Sequence, residues 1–538
     1  MRSPDMVFQI LQQHATDETY RYERLYRNLY HEDLYLQAAK NLPATGSLLE
    51  QGKAGVSFSQ TGKRRVERLI GSLRDHSYRP QSVKREASPQ GNQKKPPLED
   101  RLVEEALRML LRCIYEPAFS PCSHGFRPGR NCQTALLQVK HRFTGTKWFV
   151  EGSLSNPVPV LDRQVLTGIL RRRIRDEAFL ELVWKFLKAG YLDQWETGRT
   201  YSGTAYGRGL APLLANIYWD ELDRFMKGYQ EAFFRGTARK QNPEYIREKS
   251  RYQRYRNKVK QEWEGYSEEE RRTALRTQKA KKQEFQDIPM GDPMDPGYRR
   301  IQYVRYLDQF LIGVIGSKAD AAALAGEIRR FCRETYHLEL PESALRIRSG
   351  KEKARFLEYD VTICQDPALK RAKGKGTVRA YTGKVKLYLP KEAWVGELNR
   401  FGVLRIVTRP GEPEVWKPIQ HNPSIFLPVP VMVRRYNAWI RGIYDYYRLA
   451  GNVSVLNKFS YVMEYSLYKT VAAKYRITMT QAKQKYTRDR VFRVPDRDGK
   501  DAVFYNGGFR KQDTAKQGNV DLMPESGSPI RGEALRGM

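Results

Sequence analysis

The chain has 538 residues, with 95 Lys and Arg against 61 Asp and Glu and a formal net charge of +34, which is typical of a protein with a polyanionic partner. Its 33 tyrosines are interleaved with those cations, a mixture that suits base stacking beside phosphate contacts. No apolar run approaches the roughly 20 residues of a membrane-spanning helix, and the start of the chain lacks the apolar segment of a secretory signal. We therefore expect an intracellular protein without a membrane partner.

In chain order, residues 1–40 are predicted to be mainly helical, and the Gly- and Ser-rich stretch 41–62 is predicted to be loop. The segment DRLVEEALRMLLRCIY at 100–115 carries its apolar residues on one face, which predicts an amphipathic helix. More helix is predicted in VLTGILRRRIRDEAFLELVWKFLKAG, residues 165–190.

Between 235 and 299 the composition becomes dense in charge and poor in apolar residues. This stretch cannot supply a core, so we predict an inserted solvated helix or a flexible excursion. Its charges form either a plain solvated face or a surface that contacts RNA. After it, IQYVRYL and QFLIGVIG predict a hairpin that carries Asp308 and Gln309, followed by a helix. Residues 432–486 are predicted to be helical, and the tail from about 510 is predicted to be disordered.

Several long segments resemble, in order, the group II intron reverse transcriptase/maturase family, from YRYERLYRNLY near residue 20 to YNGGFRK near 511. The family's Tyr-Ala-Asp-Asp-Phe-Leu-Ile hairpin reads YLDQFLI here. SHGFRPGRNCQTAL (123–136) is similar to its finger-to-palm motif, and GLAPLLANIYWDELDRFM (209–226) to its templating helix. YNAWIRGIYDYYRLAGNVSVLNKFSYVMEYSLYKTVAAKYR (436–476) resembles the maturase thumb and domain X.

This resemblance implies an α+β, right-hand polymerase fold, with helical and extended fingers, a palm with an antiparallel sheet, and an α-helical thumb and domain X. The expected divisions are 1–135 for an N-terminal extension and fingers, 136–375 for the palm with its charged insertion at about 235–299, 376–490 for the thumb and domain X, and 491–538 for a short, largely disordered tail.

The departures from the family fall on the elements that carry its chemistry. Ser153 and Gln309 stand where the resemblance implies two of three metal-binding aspartates, which leaves Asp308 as the remnant of that set. Pro157 and Pro159 remove two backbone donors and are expected to reshape the strand end that carries position 153.

Further replacements affect the implied nucleotide pocket. Ala205 and Tyr206 stand for Pro-Gln, Arg208 stands for a glycine, and Ala344 stands where the resemblance implies a lysine general acid. We therefore expect Tyr206 and Arg208 to occupy space where a nucleotide would lie.

One carboxylate cannot hold two Mg²⁺ ions against a triphosphate. We therefore expect no metal site, with Asp308 as a ligand at most, no cofactor unless Mg²⁺ supports residual polymerisation, and no practical DNA synthesis. Neither paired cysteines nor a histidine cluster follows residue 486, so we expect no zinc-binding endonuclease domain of the kind in which the family often ends.

RNA binding is the activity expected to survive. The candidate contacts lie in the region that resembles domain X, and they are Arg434, Arg435, Arg441, Tyr444, Tyr447, Arg448, Lys458, Lys469, Lys474 and Arg476. For the tyrosines and Arg448, packing in the core is an equal alternative, and for the other cations the alternative is a solvated face.

The predicted function is binding of structured RNA, a group II intron above all, so that the RNA folds and splices, in a prokaryotic cytoplasm or an organelle matrix. Two alternatives stay open. One is an active RNA-directed DNA polymerase with an atypical site that works through Asp308 and Asp162. The other is a pseudoenzyme subunit that binds an active reverse transcriptase, a CRISPR or defence complex, or a host RNA. DNA remains a further candidate partner.

Overall fold

The structure, a computed structural model, describes residues 2–43, 48–52, 55–82, 96–154, 161–196, 199–293, 295–366, 369–372, 376–379, 382–496 and 499–524. Pro157 and Pro159, and with them the predicted bend, lie outside these residues. Among the described residues, none of the helices is both long and apolar enough to cross a membrane.

The first 40 residues are mainly helical, as predicted, whereas the stretch 41–62, predicted to be loop, contains a pair of short strands and the start of a helix. The elements of the first part of the chain are α1 (Pro4–Gln13), α2 (Glu32–Asn41), β1 (Leu49–Gly52), β2 (Gly55–Phe58), α3 (Gln60–Arg74), α4 (Leu98–Tyr115) and α5 (Cys132–Arg142). The predicted amphipathic helix is α4, and it is buried along most of its length because it lies between α1, α2 and α3 and the helix α8 introduced below.

The middle of the chain alternates helices with the strands of an antiparallel sheet. Its elements are β3 (Trp148–Ser153), α6 (Arg163–Arg171), α7 (Glu177–Lys188), β4 (Trp195–Glu196), β5 (Tyr206–Gly207), α8 (Ala211–Phe233), α9 (Pro243–Glu262), α10 (Glu268–Asp287), β6 (Arg300–Tyr306), β7 (Gln309–Ile315), α11 (Lys318–Tyr336), β8 (Leu345–Ser349), β9 (Ala354–Phe356) and β10 (Tyr359–Ile363).

The last part consists of small hairpins followed by a helical region. Its elements are β11 (Leu369–Ala372), β12 (Gly376–Arg379), β13 (Val385–Tyr388), α12 (Lys391–Arg400), β14 (Leu404–Val407), β15 (Val415–Pro418), α13 (Val429–Tyr447), α14 (Leu456–Tyr475), α15 (Met479–Tyr486), β16 (Thr487–Arg488), β17 (Val491–Pro495) and β18 (Asp501–Val503).

The central sheet has the strand order β6-β7-β3-β8, and all of its neighbouring strands are antiparallel. β7 lies inside the sheet, which explains why its sequence, QFLIGVI, is a nearly continuous apolar run. Helices α5 and α8 pack against β6, and α11 packs against β3 and β8. The fold is therefore a mixed α+β structure, as predicted, with the β6–β7 hairpin at its centre.

The secondary structure crosses two of the predicted divisions. The boundary at 135/136 falls inside α5. The boundary at 375/376 separates β10 from β13, although these strands pair with each other in a sheet of order β13-β10-β9. β13 therefore belongs structurally with the sheet that contains β10 and β9.

The charged insertion forms an antiparallel helical hairpin, here called the arm, which comprises α9, the turn and α10 (243–287). Its base is closed by backbone bridges between Gln241 and Gly291 and between Arg235 and Arg299. The solvated-helix form of the prediction is confirmed, with two helices where one was expected.

Candidate functional site

The β6–β7 hairpin brings the three positions of the implied metal site to one end of the central sheet. Ser153, the last residue of β3, is the register partner of Gln309, the first residue of β7. Asp308 lies in the turn and is only 4% exposed, and its backbone oxygen accepts a hydrogen bond from Leu154 N at 2.9 Å. Ser153, Gln309 and Asp308 therefore lie together, as expected from the sequence, and their side chains supply a hydroxyl, an amide and one carboxylate.

This set of donors does not fit a pair of divalent cations. Mg²⁺ prefers carboxylate and phosphate oxygens, and a serine hydroxyl and a glutamine amide supply no negative charge. Among the described residues, no group of three or more His, Cys, Asp and Glu side chains is placed to hold a metal ion. Asp162, the other carboxylate considered from the sequence, caps the start of α6, where its Oδ1 accepts from Gln164 N at 2.8 Å and Val165 N at 3.1 Å.

The backbone around the hairpin is held by a buried ion pair that the sequence analysis did not identify. Arg305 in β6 and Asp223 in α8 have fully buried side chains, and Arg305 Nη2 lies 2.6 Å from Asp223 Oδ2. Arg305 also donates to the backbone oxygen of Leu307 at 2.8 Å, and Tyr303 donates to Asp223 at 2.8 Å. Burial alone would lower the pKa of Arg305, but the carboxylate of Asp223 holds it above its ordinary value. An arginine inside an apolar strand was the available signal.

The finger-to-palm motif supports the same hairpin. His124 N donates to the Arg305 backbone oxygen at 2.9 Å, and Arg305 N donates to that of Cys122 at 2.8 Å. The His124 ring is hydrogen-bonded to Thr134 and Gln138, and burial lowers its pKa to about 4. His124 therefore stays neutral near pH 7 and acts here as a structural residue.

A cleft of about 1270 Å³ is lined in part by Phe126, whose ring lies 6.5 Å from that of Tyr306 at the end of β6. Tyr206 lines it with its ring 5.5 Å from that of Phe126, and Arg208, which is half exposed, reaches Glu196 at 2.7 Å. The buried carboxylate of Glu104 accepts from Leu210 N at 2.9 Å, and burial raises its pKa to about 7. Tyr206 and Arg208 thus lie in the wall of this cleft.

The end of the described chain runs back to the hairpin as a segment that we call the strap (511–524). Asp521 is buried, and its carboxylate accepts from Ser202 N at 2.8 Å, Ser202 Oγ at 2.7 Å and Tyr306 Oη at 3.5 Å. Burial raises the pKa of Asp521 to about 6. Thr200 and Leu522 form an antiparallel bridge, so the strap pairs with the loop before Tyr206.

The strap is also fastened to α5 and α13. Asn131 donates to the backbone oxygens of Lys516 and Gly518 at 2.8 and 2.9 Å, and the Lys516 ammonium forms a hydrogen-bonded ion pair with Asp445. The prediction of a largely disordered tail is therefore wrong for residues 491–496 and 499–524, which contain β17, β18 and the strap. Residues 525–538 lie outside the described part of the chain.

The predicted RNA contacts divide into three groups. Arg441, Lys458 and Arg476 are exposed. Arg434 forms an ion pair with Asp496, while Arg435 is half-buried and its pKa is lowered by that burial.

The remaining five are engaged within the protein to different degrees. Lys469 and Lys474 donate to the backbone oxygens of Pro418 and Ile425 at 2.7 and 3.1 Å. Tyr444 is half-buried and donates to Arg510 O at 2.9 Å, and Arg448 is also half-buried.

Tyr447 is 2% exposed, and its ring packs 5.0 Å from that of Tyr359. Its assignment as an RNA contact is corrected to the core, because it lies on the side of α13 that faces β10.

Together with Lys458, five side chains missed from the sequence form an aromatic and basic surface on α14 and α15, in which Tyr465 and Lys483 are half-buried and the other four are exposed. Tyr461 is 54% exposed, and its ring centroid lies 4.4 Å from that of Tyr465. The Lys483 ammonium lies 4.0 Å from the Tyr465 ring centroid, and the Lys485 ammonium lies 5.7 Å from that of Tyr475. The spacing of Lys458, Tyr461 and Tyr465, three and then four residues apart, was the signal that could have revealed this face. We call these six residues the Tyr–Lys face.

Comparison with known proteins places this geometry in a family. Residues 382–512 match the family model described as Type II intron maturase. The chain is 34% identical over 466 residues to the group II intron-encoded protein LtrA of Lactococcus lactis subsp. cremoris, covering 86% of this chain and 76% of that protein. It is 30% identical over 402 residues to the putative COX1/OXI3 intron 1 protein of Saccharomyces cerevisiae, covering 72% of this chain and 45% of that protein.

A plant protein shows the same relationship at lower identity. The chain is 25% identical over 459 residues to nuclear intron maturase 1, mitochondrial, of Arabidopsis thaliana, covering 75% of this chain and 58% of that protein. The Lactococcus match covers most of the chain, and the maturase model covers the Tyr–Lys face. The chain belongs to the group II intron-encoded reverse transcriptase/maturase family.

Proposed function

We propose that this protein is a maturase that binds structured RNA, with group II intron RNA as its principal partner, and that it has lost DNA synthesis. In this proposal the central sheet is the palm of a right-hand polymerase fold, the N-terminal helices are its fingers, and the C-terminal helices are its thumb and domain X. Relatives from a bacterium and from mitochondria favour action in a bacterial cytoplasm or an organelle matrix.

The observation that carries the proposal is the contrast between two regions of one fold. At the end of the central sheet, Ser153 lies opposite Gln309 and the donor set does not fit the metals of a polymerase. In the C-terminal region, the Tyr–Lys face offers the exposed rings of Tyr461 and Tyr475, the second with the Lys485 ammonium 5.7 Å from its centroid, a combination that suits unpaired bases and phosphates.

The binding surface needs no contribution from the hairpin. Tyr461 and Lys458 lie on α14, and Lys483 and Lys485 lie on α15, which packs against α14. The two helices are held together by an interior that includes Phe492, whose ring lies 5.3 Å from that of Tyr468. The scaffold can therefore hold the surface in place whether or not DNA is synthesised.

The test is a splicing assay with the group II intron encoded nearest to this gene, at a Mg²⁺ concentration where the RNA alone is inactive. The protein is expected to restore splicing, and a variant with Tyr461→Ala, Lys483→Gln and Lys485→Gln is expected to lose most of that effect. Asp308→Ala is the matched control and should leave splicing unchanged. Splicing that is unaffected by the wild-type protein would overturn the proposal.

A further inference from the structure

The arm has an uneven distribution of charge along its length. The segment KSRYQRYRNKVK of α9 (249–260) contains six Lys and Arg residues and no acid, and so does RRTALRTQKAKK of α10 (271–282). The acids of the arm lie on either side of these segments, at the turn and at the base. We call the two segments together the basic belt.

The two basic segments overlap along part of their length, because the helices are antiparallel and pack side by side. The Lys281 ammonium lies 5.6 Å from the ring centroid of Tyr255, and the rings of Tyr252 and Phe285 are 5.2 Å apart. At 1.5 Å per residue, each basic segment is about 18 Å long. The belt is therefore a rod with cations along both helices.

Most of the belt's charge is not neutralised within the described part of the chain. Ten of its twelve cations are exposed, and Arg271 and Lys281 are half-buried. Arg251 pairs with Glu248 at 2.9 Å and Arg272 pairs with Glu268 at 3.6 Å, and these are the two belt residues that form ion pairs with described residues. So many unpaired like charges repel one another and favour a polyanion as the partner.

The surface of the arm does not suit a protein partner. Protein interfaces need an apolar centre, and the large apolar side chains exposed on the arm are Ile246 and Leu275, one on each helix. The belt's tyrosines are half-buried in the seam between the helices, so the belt also lacks free rings on which unpaired bases could stack.

The placement of the cations favours paired RNA over a single strand. At 100° per residue, Lys249, Arg256 and Lys260 lie on one side of α9, and Arg251, Arg254 and Lys258 lie on the opposite side. A double helix presents two rows of phosphates with a groove between them, and recognition of paired RNA rests on phosphate and 2′-hydroxyl contacts. A rod with cations on opposite sides can contact both rows.

We propose that the arm is a second RNA-binding element, which grips the backbone of a double-helical segment of RNA independently of the Tyr–Lys face. The inference rests on the proposed function, since RNA must be the protein's partner. The arm adds affinity that is independent of sequence, because lysine and arginine contacts to phosphate read no bases.

The test compares two full-length variants of equal charge for binding to a fully paired RNA hairpin. The first carries Arg254→Gln, Lys258→Gln, Arg276→Gln and Lys279→Gln, four exposed belt positions. The second carries Lys318→Gln, Arg330→Gln, Arg333→Gln and Arg346→Gln, four exposed positions on α11 and β8. Affinity is measured by fluorescence anisotropy over a series of salt concentrations.

The belt variant is expected to bind on the order of 10- to 100-fold more weakly near physiological salt, and its slope of log affinity against log salt should become shallower by about 3. The control variant should stay within about threefold of wild type. Equal losses of affinity in both variants would overturn the inference. An RNA affinity that is unchanged in both variants would also overturn it, and would favour an acidic protein as the partner of the arm.

The closed base of the arm permits a second variant. Replacing 243–289 with a short Asn-Gly turn keeps the bridge between Gln241 and Gly291. This variant should retain binding to a single-stranded RNA while losing affinity for the paired hairpin at least to the extent of the belt variant, since it lacks all twelve belt cations. If wild-type protein binds neither RNA, the proposed function itself fails, whereas full binding by the armless protein refutes only the role of the arm.

Discussion

Ser153 in β3 and Gln309 in β7 are direct partners in the antiparallel ladder. Gln309 directly follows Asp308, which lies in the hairpin turn. The two positions where a polymerase of this family would carry carboxylates therefore face each other as a hydroxyl and an amide. Gly152, next to Ser153, lies under the ring of Phe310, where an added Cβ would come within 2.0 Å of Phe310 Cζ. The backbone is thus closely packed at the point where we propose that metal-binding chemistry has been lost.

Removing the buried cation beneath the hairpin should destabilise the protein strongly. Arg305→Met leaves Asp223 buried without its partner, so we expect a loss of about 3–5 kcal/mol in the free energy of unfolding. Arg330→Met, which breaks an exposed pair with Glu327, should cost less than about 1 kcal/mol. Urea denaturation followed by circular dichroism measures both, and equal effects would contradict the structural role of Arg305.

The pH dependence of stability should report on Asp521. Its folded pKa of about 6 lies above the ordinary value of 3.8, so between these values the folded state holds a proton that the unfolded state has released. The unfolding free energy should therefore fall as pH rises through this window, by about 2–3 kcal/mol from this group.

The matched variant for this prediction is Asp521→Asn, which cannot titrate. Relative to the variant, the wild-type protein should lose unfolding free energy as the pH rises from 4 to 7, and the difference between the two should then stay constant. Glu104, whose pKa is raised to about 7, contributes a similar trend to both proteins and cancels in the comparison. A difference that does not change with pH would show that Asp521 is not buried as described.

The Tyr–Lys face should contribute to RNA affinity in two ways, by base stacking and by charge, which can be measured separately. Tyr461→Ala should weaken binding to RNA with an unpaired loop by about 1–3 kcal/mol with little change in salt dependence. Lys483→Gln with Lys485→Gln should make the dependence on salt shallower by about 1–2 in slope. Tyr447→Phe, a buried position, is the control; salt-independent binding by the wild-type protein would contradict an electrostatic interface.

The hairpin and α4 could be predicted because apolar periodicity and turn position determine them locally, whereas the α+β class was implied by the resemblance to the family. Tyr447 could not be assigned, because tyrosines occur on both faces of α13 and only packing against β10 decides which are buried. The strap was missed for a different reason. Its sequence is polar, and it is held by hydrogen bonds from the Asn131 side chain to its backbone oxygens and by the buried carboxylate of Asp521, which composition does not reveal.

Restoring the missing carboxylates alone should not restore polymerisation. Ser153→Asp with Gln309→Asp rebuilds the implied set around Asp308, but Tyr206 and Arg208 remain in the wall of the adjoining cleft. Misplacement of a reacting group by about 1 Å can cost on the order of 100-fold. We expect no primer extension by this double variant, and extension would show that the cleft is open to a nucleotide.

The most direct test of the central claim is primer extension by the wild-type protein on an RNA template, with Mg²⁺ and with Mn²⁺, beside an active reverse transcriptase as positive control. Protein that is shown in the same preparation to bind structured RNA is expected to yield no product above background, because Asp308 is the only carboxylate among Ser153, Asp308 and Gln309. Processive DNA synthesis that disappears in Asp308→Ala would contradict the account.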